Sequence, residues 1–289
     1  MGSGYINCNI FKKTYSAFKA IVDDSLTEVT AEMLSGITSI ASFTFKQCAN
    51  LISVVIPSGV TSIGKEAFSS CSALTSVTIP SSVRTIGDFV FEYCTSLASV
   101  DISSGVTSIG NYVFSNCGSL ASITIPNSVR SIGNHAFNNC TSLTSINILS
   151  GVTSIEGSTF YNCTSLTSIN IPSSVTSIGS SAFYECSSLA SVTIPSSVTS
   201  IGSYAFYNCD SLASVTIPSG VMSISNDAFY HCSILTSVTV EATTPPTLGS
   251  SVFGYASSNL VIYVPSGSVD TYKAANNWST YASRIQAIP

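Results

Sequence analysis

The chain has 289 residues, of which 45% are hydrophobic and only 8% charged, where an ordinary soluble domain carries about 25% charged residues. That apolar fraction excludes a disordered polymer, and a net charge of −5 without a basic patch argues against nucleic acid or an anionic membrane surface as partner. No apolar run reaches the roughly 18 residues of a membrane helix, so no membrane insertion is expected.

In chain order, residues 1–25 read as an amino-terminal cap. Phe11, Tyr15, Phe18 and Val22 recur at helical spacing with lysines among them, as in a short amphipathic helix over residues 10–22. Residues 26–40, LTEVTAEMLSGITSI, look like a degenerate repeat with two extra residues. The repeat proper follows. Nine cysteines, from Cys48 to Cys232, fall at intervals of 23 residues, each with a phenylalanine three residues before it and a leucine three residues after it. Counted from that leucine, eight complete copies run from Leu51 to Ile234, and the copy beginning at Leu189 reads LASVTIPSSVTSIGSYAFYNCDS.

Within a copy the apolar residues occupy offsets 0, 3, 5, 9, 12, 16, 17 and 20. The V-T-I segment alternates with period two and is β-branched, which predicts a short strand. Proline closes it in most copies (Pro57, Pro80, Pro126, Pro172, Pro195, Pro218) because it cannot continue a ladder. A second extended stretch, T-S-I, is closed at offset 13 by glycine, except for Glu156 and Ser225. Those two exceptions mean either that the position needs no positive φ or that their coils are strained. Past the repeats, Thr244-Pro245-Pro246 breaks the period, residues 259–265 supply one last strand-like V-I-Y-V-P, and Tyr272, Trp278, Tyr281 and Ile285 are placed to cover the final coil. The tryptophan there reads as packing rather than recognition. The expected division is a cap over 1–25, a solenoid over 26–258 and an irregular carboxyl-terminal cap over 259–289.

A 23-residue unit is too short for two helices and falls within the about 20–29 residues of leucine-rich repeats. One unit cannot bury its own apolar edge, so the expected fold is a β-rich leucine-rich repeat solenoid of about ten coils, with short parallel strands stacked about 4.8 Å apart. Its core is then a set of ladders, leucine on leucine, phenylalanine on phenylalanine and cysteine on cysteine.

The pattern L-x-x-V/I-x-I-P-x-x-V-x-x-I-x-x-x-A-F-x-x-C-x-x, carried over roughly residues 26–265, resembles the BspA-like class of leucine-rich repeats found in bacterial surface antigens and some protozoan surface proteins. Ser103 and Leu149 depart from it at the proline, and Val90, Val113 and Thr159 at the alanine; these departures are expected to soften individual coils. The resemblance implies a non-enzymatic secreted or cell-surface adhesin, with a protein or glycan ligand and host matrix proteins or other cells as partners. A second reading is a structural spacer or receptor-recognition module of a larger assembly, such as a phage or prophage tail. The chain shows no secretion signal or carboxyl-terminal anchor, so surface attachment is expected to be held by something outside it. A monomer is expected.

The residues offer little chemistry. Stacking brings successive cysteines within the about 4.4–6.8 Å disulfide window, but parallel side chains do not converge and nine members cannot all pair. Buried reduced thiols are expected, and without a CxxC pair neither a metal site nor a cofactor. His135 and His231 need an orienting acid for catalysis; the nearest in sequence terms, Glu156 and Asp227, read as solvated turn residues, so no enzyme is expected. Recognition has two candidate surfaces. Outward strand residues at offset 4, Thr78, Asp101, Thr124, Asn147, Asn170, Thr193 and Thr216, form one polar row, which also serves simply to solubilise the repeat. At offset 18, Tyr161, Tyr184, Tyr207 and Tyr230 follow earlier copies carrying Ser69, Glu92, Ser115 and Asn138. A position that accepts serine and glutamate is expected to be partly exposed, giving an amphipathic stripe suited to protein or sugar contact, with mutual stacking as its ordinary explanation. Asn116, Asn139, Asn162 and Asn208 are expected to bond turn backbone.

Overall fold

A computed structural model describes residues 26–289. The helix expected over residues 10–22 lies outside the described residues. From residue 26 onward the chain winds through three walls per coil.

The first wall is built from the alternating β-branched segment. Ser76–Ile79, Ser99–Ile102, Ser122–Ile125, Ser145–Ile148 and Ser214–Ile217 are strands whose residues alternate exposed and buried. They pair in parallel with no register slip, for example Val77 with Val100 and Ile146 with Ile123, so the 23-residue period becomes a vertical stack of like residues. The second wall is a ladder of two-residue T-S-I strands such as Ser108–Ile109 and Ser200–Ile201. Glu28 pairs with Ser53 but Ser39 with Ser62, which places the two extra residues of the first coil between its two strands. Threonines on the rims add lateral bonds: the Thr61, Thr107 and Thr199 hydroxyls donate to backbone carbonyls one coil earlier, one reason the repeat is so rich in that residue.

The third wall, offsets 14 to 20, consists of reverse turns rather than helix or strand. Alternate N–H groups bond across coils and back along the chain: His135, Phe137 and Asn139 donate to carbonyls of Gly157, Thr159 and Tyr161, while Asn138 and Cys140 donate to His135 and Phe137. This geometry requires left-handed backbone at offsets 15 and 19, the third residues of successive turns, and the chain holds it with side chains of every kind: φ is 60° at Phe89, 57° at Tyr112, 57° at His135, 58° at Glu185 and 62° at His231. Such φ values are uncommon away from glycine and asparagine. Here the cross-coil hydrogen bonds fix them.

The offset-13 glycines have a different role. None of the six has a positive φ; instead, a Cβ on Gly202 would lie 2.5 Å from the Ser180 backbone nitrogen and one on Gly179 2.6 Å from the Glu156 carbonyl carbon. Glycine is needed for close approach of successive coils, not for φ. Where Glu156 replaces it, the second wall is interrupted: the ladder stops at Ser131–Ile132, resumes at Ser177–Ile178, and is bridged only by Ile155 against Ile178. The other departures do not soften their coils. Ser103 and Leu149 donate N–H groups to the Ile79 and Ile125 carbonyls, both at 3.1 Å, bonds that proline cannot make. Val90, Val113 and Thr159 are fully buried, and the Thr159 hydroxyl donates to the Glu156 carbonyl at 2.8 Å.

The core is the set of ladders the period implies. Phenylalanine rings from Phe45 to Phe229 stack at centroid spacings between 5.0 and 5.7 Å, and Phe253 adds one more ring. Beside them the nine cysteines from Cys48 to Cys232 are buried, and those from Cys71 to Cys232 are free thiols. From Cys71 onward each thiol donates to the carbonyl of the phenylalanine one coil earlier, as Cys140 does to Phe114 at 3.1 Å and Cys163 to Phe137 at 3.2 Å. Cysteine thus fills a small apolar site and also supplies a donor, which alanine does not.

Burial pushes the Cys140 thiol up from 9.0 to about 12, and the Cys232 thiol likewise to about 12. A folded-state value above the unfolded one means that the folded chain keeps protons the unfolded chain releases. The associated stabilisation is complete below pH 9.0 and is lost as pH rises towards about 12. The ladder thiols should therefore be inert to a thiol reagent until denaturant is added, and the denaturation midpoint should be lower at about pH 10.5 than at about pH 8.

At the carboxyl end the parallel ladder continues through Val261–Val264, which pairs with Ser237–Val240, and then through Ile285–Ala287. The last strand is thus Ile285–Ala287 rather than the V-I-Y-V segment. Between them the short helix Val269–Ala274 and a 3₁₀ segment, Trp278–Arg284, bury Tyr272 and Trp278.

Candidate functional site

Strand alternation places offset 4 outward, and Thr78, Asp101, Thr124, Asn147, Asn170, Thr193 and Thr216 are all exposed. They are register partners, Thr78 beside Asp101, Asn147 between Thr124 and Asn170, and Asn170 beside Thr193. The structure therefore gathers all seven into one polar row on the first wall.

The four tyrosines lie on a different wall, that of the turns. Tyr161, Tyr184, Tyr207 and Tyr230 are half-buried and stack at 4.7, 4.6 and 5.3 Å with interplanar angles of 3°, 3° and 6°. Burial first, then the Glu185 carboxylate, raises the Tyr161 phenol above its ordinary value. Burial, followed by the two ring neighbours and Glu185, does the same for Tyr184. One premise of the sequence argument is corrected: Ser69 and Ser115, which share this offset, are buried, because a small side chain there sinks between its neighbours where a tyrosine extends past them.

Two aromatic groupings lie outside both candidate surfaces. At offset 15, Phe89, Tyr112 and His135 stack at 4.8 and 4.4 Å, with the Lys65 ammonium 5.3 Å from the Phe89 ring centroid. Three unlike residues at 23-residue spacing were the signal. Near the other end, Tyr255 stacks on His231 at 5.7 Å and tilts against Tyr230 at 5.2 Å, while Tyr204 meets Tyr207 edge-on at 5.9 Å.

The histidines do not organise a catalytic site. Burial lowers the affinity of His135 for a proton, and its ring neighbour is Tyr112. His231 has an acidic neighbour, but it is Asp210 at 4.0 Å rather than Asp227, because the previous coil's carboxylate leans across. The Ser233 hydroxyl bonds that same carboxylate at 3.0 Å. The carboxylate thus stands between serine and histidine, whereas nucleophilic activation needs the imidazole there. Among the described residues no three His, Cys, Asp or Glu side chains converge as metal ligands.

The asparagine expectation is corrected for Asn116, Asn139 and Asn162. Asn139 Nδ2 donates to Asn116 Oδ1 at 3.0 Å and Asn162 Nδ2 to Asn139 Oδ1 at 2.8 Å, so these side chains bond each other from coil to coil rather than turn backbone. A second ladder does use backbone: Asp88 Oδ1 accepts from the Asn111 N–H at 2.7 Å, and Asn111 Oδ1 from the Asn134 N–H at 2.9 Å.

Comparison with known proteins agrees with this architecture. A family model described as BspA type leucine rich repeat region, in 6 copies, matches residues 5–144 and 130–261. The crystal structure of a leucine rich repeat protein from T. pallidum is 31% identical, with a TM-score of 0.53, covering 57% of this chain and 78% of that one. A leucine-rich repeat protein from Eubacterium ventriosum is 29% identical, with a TM-score of 0.51, covering 83% of this chain and 66% of that one. The pneumococcal vaccine antigen PcpA, 17% identical with a TM-score of 0.51 over 90% of this chain and 76% of its own, shares the fold. No curated protein matches the chain. Among the described residues no helix is long and apolar enough to cross a membrane.

Proposed function

The chain belongs to the BspA-type leucine rich repeat family, and from that premise we propose that it is a non-enzymatic binding module of the cell surface or of secreted material, contacting a protein or glycan ligand. The observation that carries the reading is the change in the turn wall along an otherwise uniform scaffold. Offset 18 holds Ser69, Glu92, Ser115 and Asn138 in four coils and then Tyr161, Tyr184, Tyr207 and Tyr230 in the next four. Packing alone does not require the switch, since the phenylalanine ladder beneath runs unchanged through both halves. Half-buried tyrosines combine apolar area with a polar tip and lose little conformational entropy on contact, which is why interfaces favour them.

The test is a binding screen of the purified chain against immobilised host matrix proteins and glycans, beside a variant with Tyr161, Tyr184, Tyr207 and Tyr230 replaced by serine. Saturable binding that the variant loses is the expected result. A folded, monomeric sample that binds none of them would move the chain to the role of a spacer or recognition module in a larger assembly.

A further inference from the structure

The chain treats its exposed rings differently in its two halves. Near the amino end it supplies its own cations: Lys46 Nζ lies 5.6 Å from the Phe43 centroid and Lys65 Nζ 5.3 Å from that of Phe89, both inside the about 6 Å range of cation–π attraction. Lys65 thereby covers the open end of the Phe89–Tyr112–His135 stack. From residue 131 to residue 272 there is no lysine or arginine at all, while six carboxylates fall in the same stretch. The tyrosine row and the rings beside it all lie there.

What those rings leave free narrows the ligand. Tyr184 and Tyr207 are covered on both faces by their neighbours, so they offer edges and phenol oxygens. A sugar ring packs its C–H groups against an aromatic face, and both faces of these two rings are occupied. Open aromatic surface comes instead from Tyr204, 42% exposed, and Tyr255, 71% exposed. Three carboxylates accompany them, Glu185 and Asp227 on the turn wall and Asp210 just past its end. Glu185 follows Tyr184 and its N–H bonds the Tyr207 carbonyl at 2.8 Å; the Asp227 carbonyl accepts from the Tyr230 N–H at 3.1 Å; Asp210 stands 4.0 Å from His231.

We propose that this aromatic, carboxylate-flanked face docks an extended cationic polypeptide, whose lysine and arginine side chains lie over Tyr204 and Tyr255 and against Glu185, Asp210 and Asp227. They take the part that Lys46 and Lys65 take within the chain at its other end. The proposal rests on the reading of the chain as a binding module and names the partner class. Aromatic faces attract an ammonium or guanidinium group through the ring quadrupole, and the carboxylates add charge complementarity that salt weakens.

Titration calorimetry of the full chain with oligolysine, and with oligoglutamate of equal length, tests it. Saturable, salt-sensitive binding of oligolysine alone is expected. Both the E185Q/D210N/D227N variant and the Y204S/Y255S variant, each checked for an unchanged melting profile, should bind at least about tenfold more weakly. E32Q, which removes an exposed carboxylate in the first coil, should bind as the parent does. Unchanged affinity in either of the first two variants would overturn the proposal, since charge alone or rings alone would then suffice. If oligolysine fails to bind while a matrix protein or glycan binds through the four stacked tyrosines, the cationic partner is wrong and the binding module stands. If no ligand binds, both fall.

Discussion

Replacing Phe137 by alanine is expected to cost about 3–5 kcal/mol of stability, read from the shift in an equilibrium denaturation curve followed by circular dichroism. The ring is 0% exposed and stacks on Phe114 at 5.3 Å and on Phe160 at 5.5 Å. It therefore belongs to two coil interfaces at once. In a solenoid, stability is close to a sum of unit terms and nearest-neighbour terms, so deleting a central ring weakens both of its contacts. Little can relax into the gap: the Phe137 carbonyl accepts from the Cys140 N–H at 3.2 Å and from the Cys163 thiol at 3.2 Å, and its N–H donates to Thr159 at 2.9 Å, which pins the backbone on both sides. A loss below about 1 kcal/mol would mean that the ladder is not closely packed at this coil.

The same ladders explain what a reader of the sequence can and cannot recover. The leucine, phenylalanine and cysteine positions each repeat one residue type at one spacing, so Phe137 and Cys140 announce their burial. The left-handed backbone at offset 15 does not announce itself, because Phe89 and Tyr112 carry no local preference for it, whereas at offset 19 Asn116, Asn139, Asn162 and Asn208 do. Its cause is the hydrogen bonding between coils, which no single coil encodes. Glycine invited the opposite error: at Gly202 it signals a backbone approach of 2.5 Å rather than a turn, and only stacked coils distinguish the two. Neighbours that are not one period apart were hidden in a similar way, as with His231 and Asp210, 21 residues apart and in contact because the earlier coil's loop leans forward. Both candidate rows, by contrast, were legible residue by residue. The period alone set their members beside one another. What it did not show was that the tyrosine faces cover each other, and that decides what kind of ligand can use them.

Trp278→Ala is expected to be as damaging as the core substitution, at about 3–5 kcal/mol, with damage confined to one end. The indole is 1% exposed, packs edge-on against Tyr272 at 5.0 Å and tilts over Phe253, the last ring of the phenylalanine ladder, at 6.3 Å. Its N–H donates to the Pro246 carbonyl at 2.8 Å, while the Tyr272 hydroxyl donates to Ala242 at 2.8 Å. The two aromatic residues thus bond the stretch where Thr244-Pro245-Pro246 breaks the period, and their donors serve carbonyls there that no following coil meets. Trp278→Phe separates the contributions: it keeps most of the apolar contact but leaves the Pro246 carbonyl unpaired, for an expected loss of about 1–3 kcal/mol. Because coils couple only to their neighbours, amide exchange should accelerate in Val261–Val264 and Ser237–Val240 and stay unchanged in Ser76–Ile79. Acceleration along the whole ladder would show instead that the solenoid unfolds from this end as one cooperative unit, and that the single tryptophan holds all of it closed.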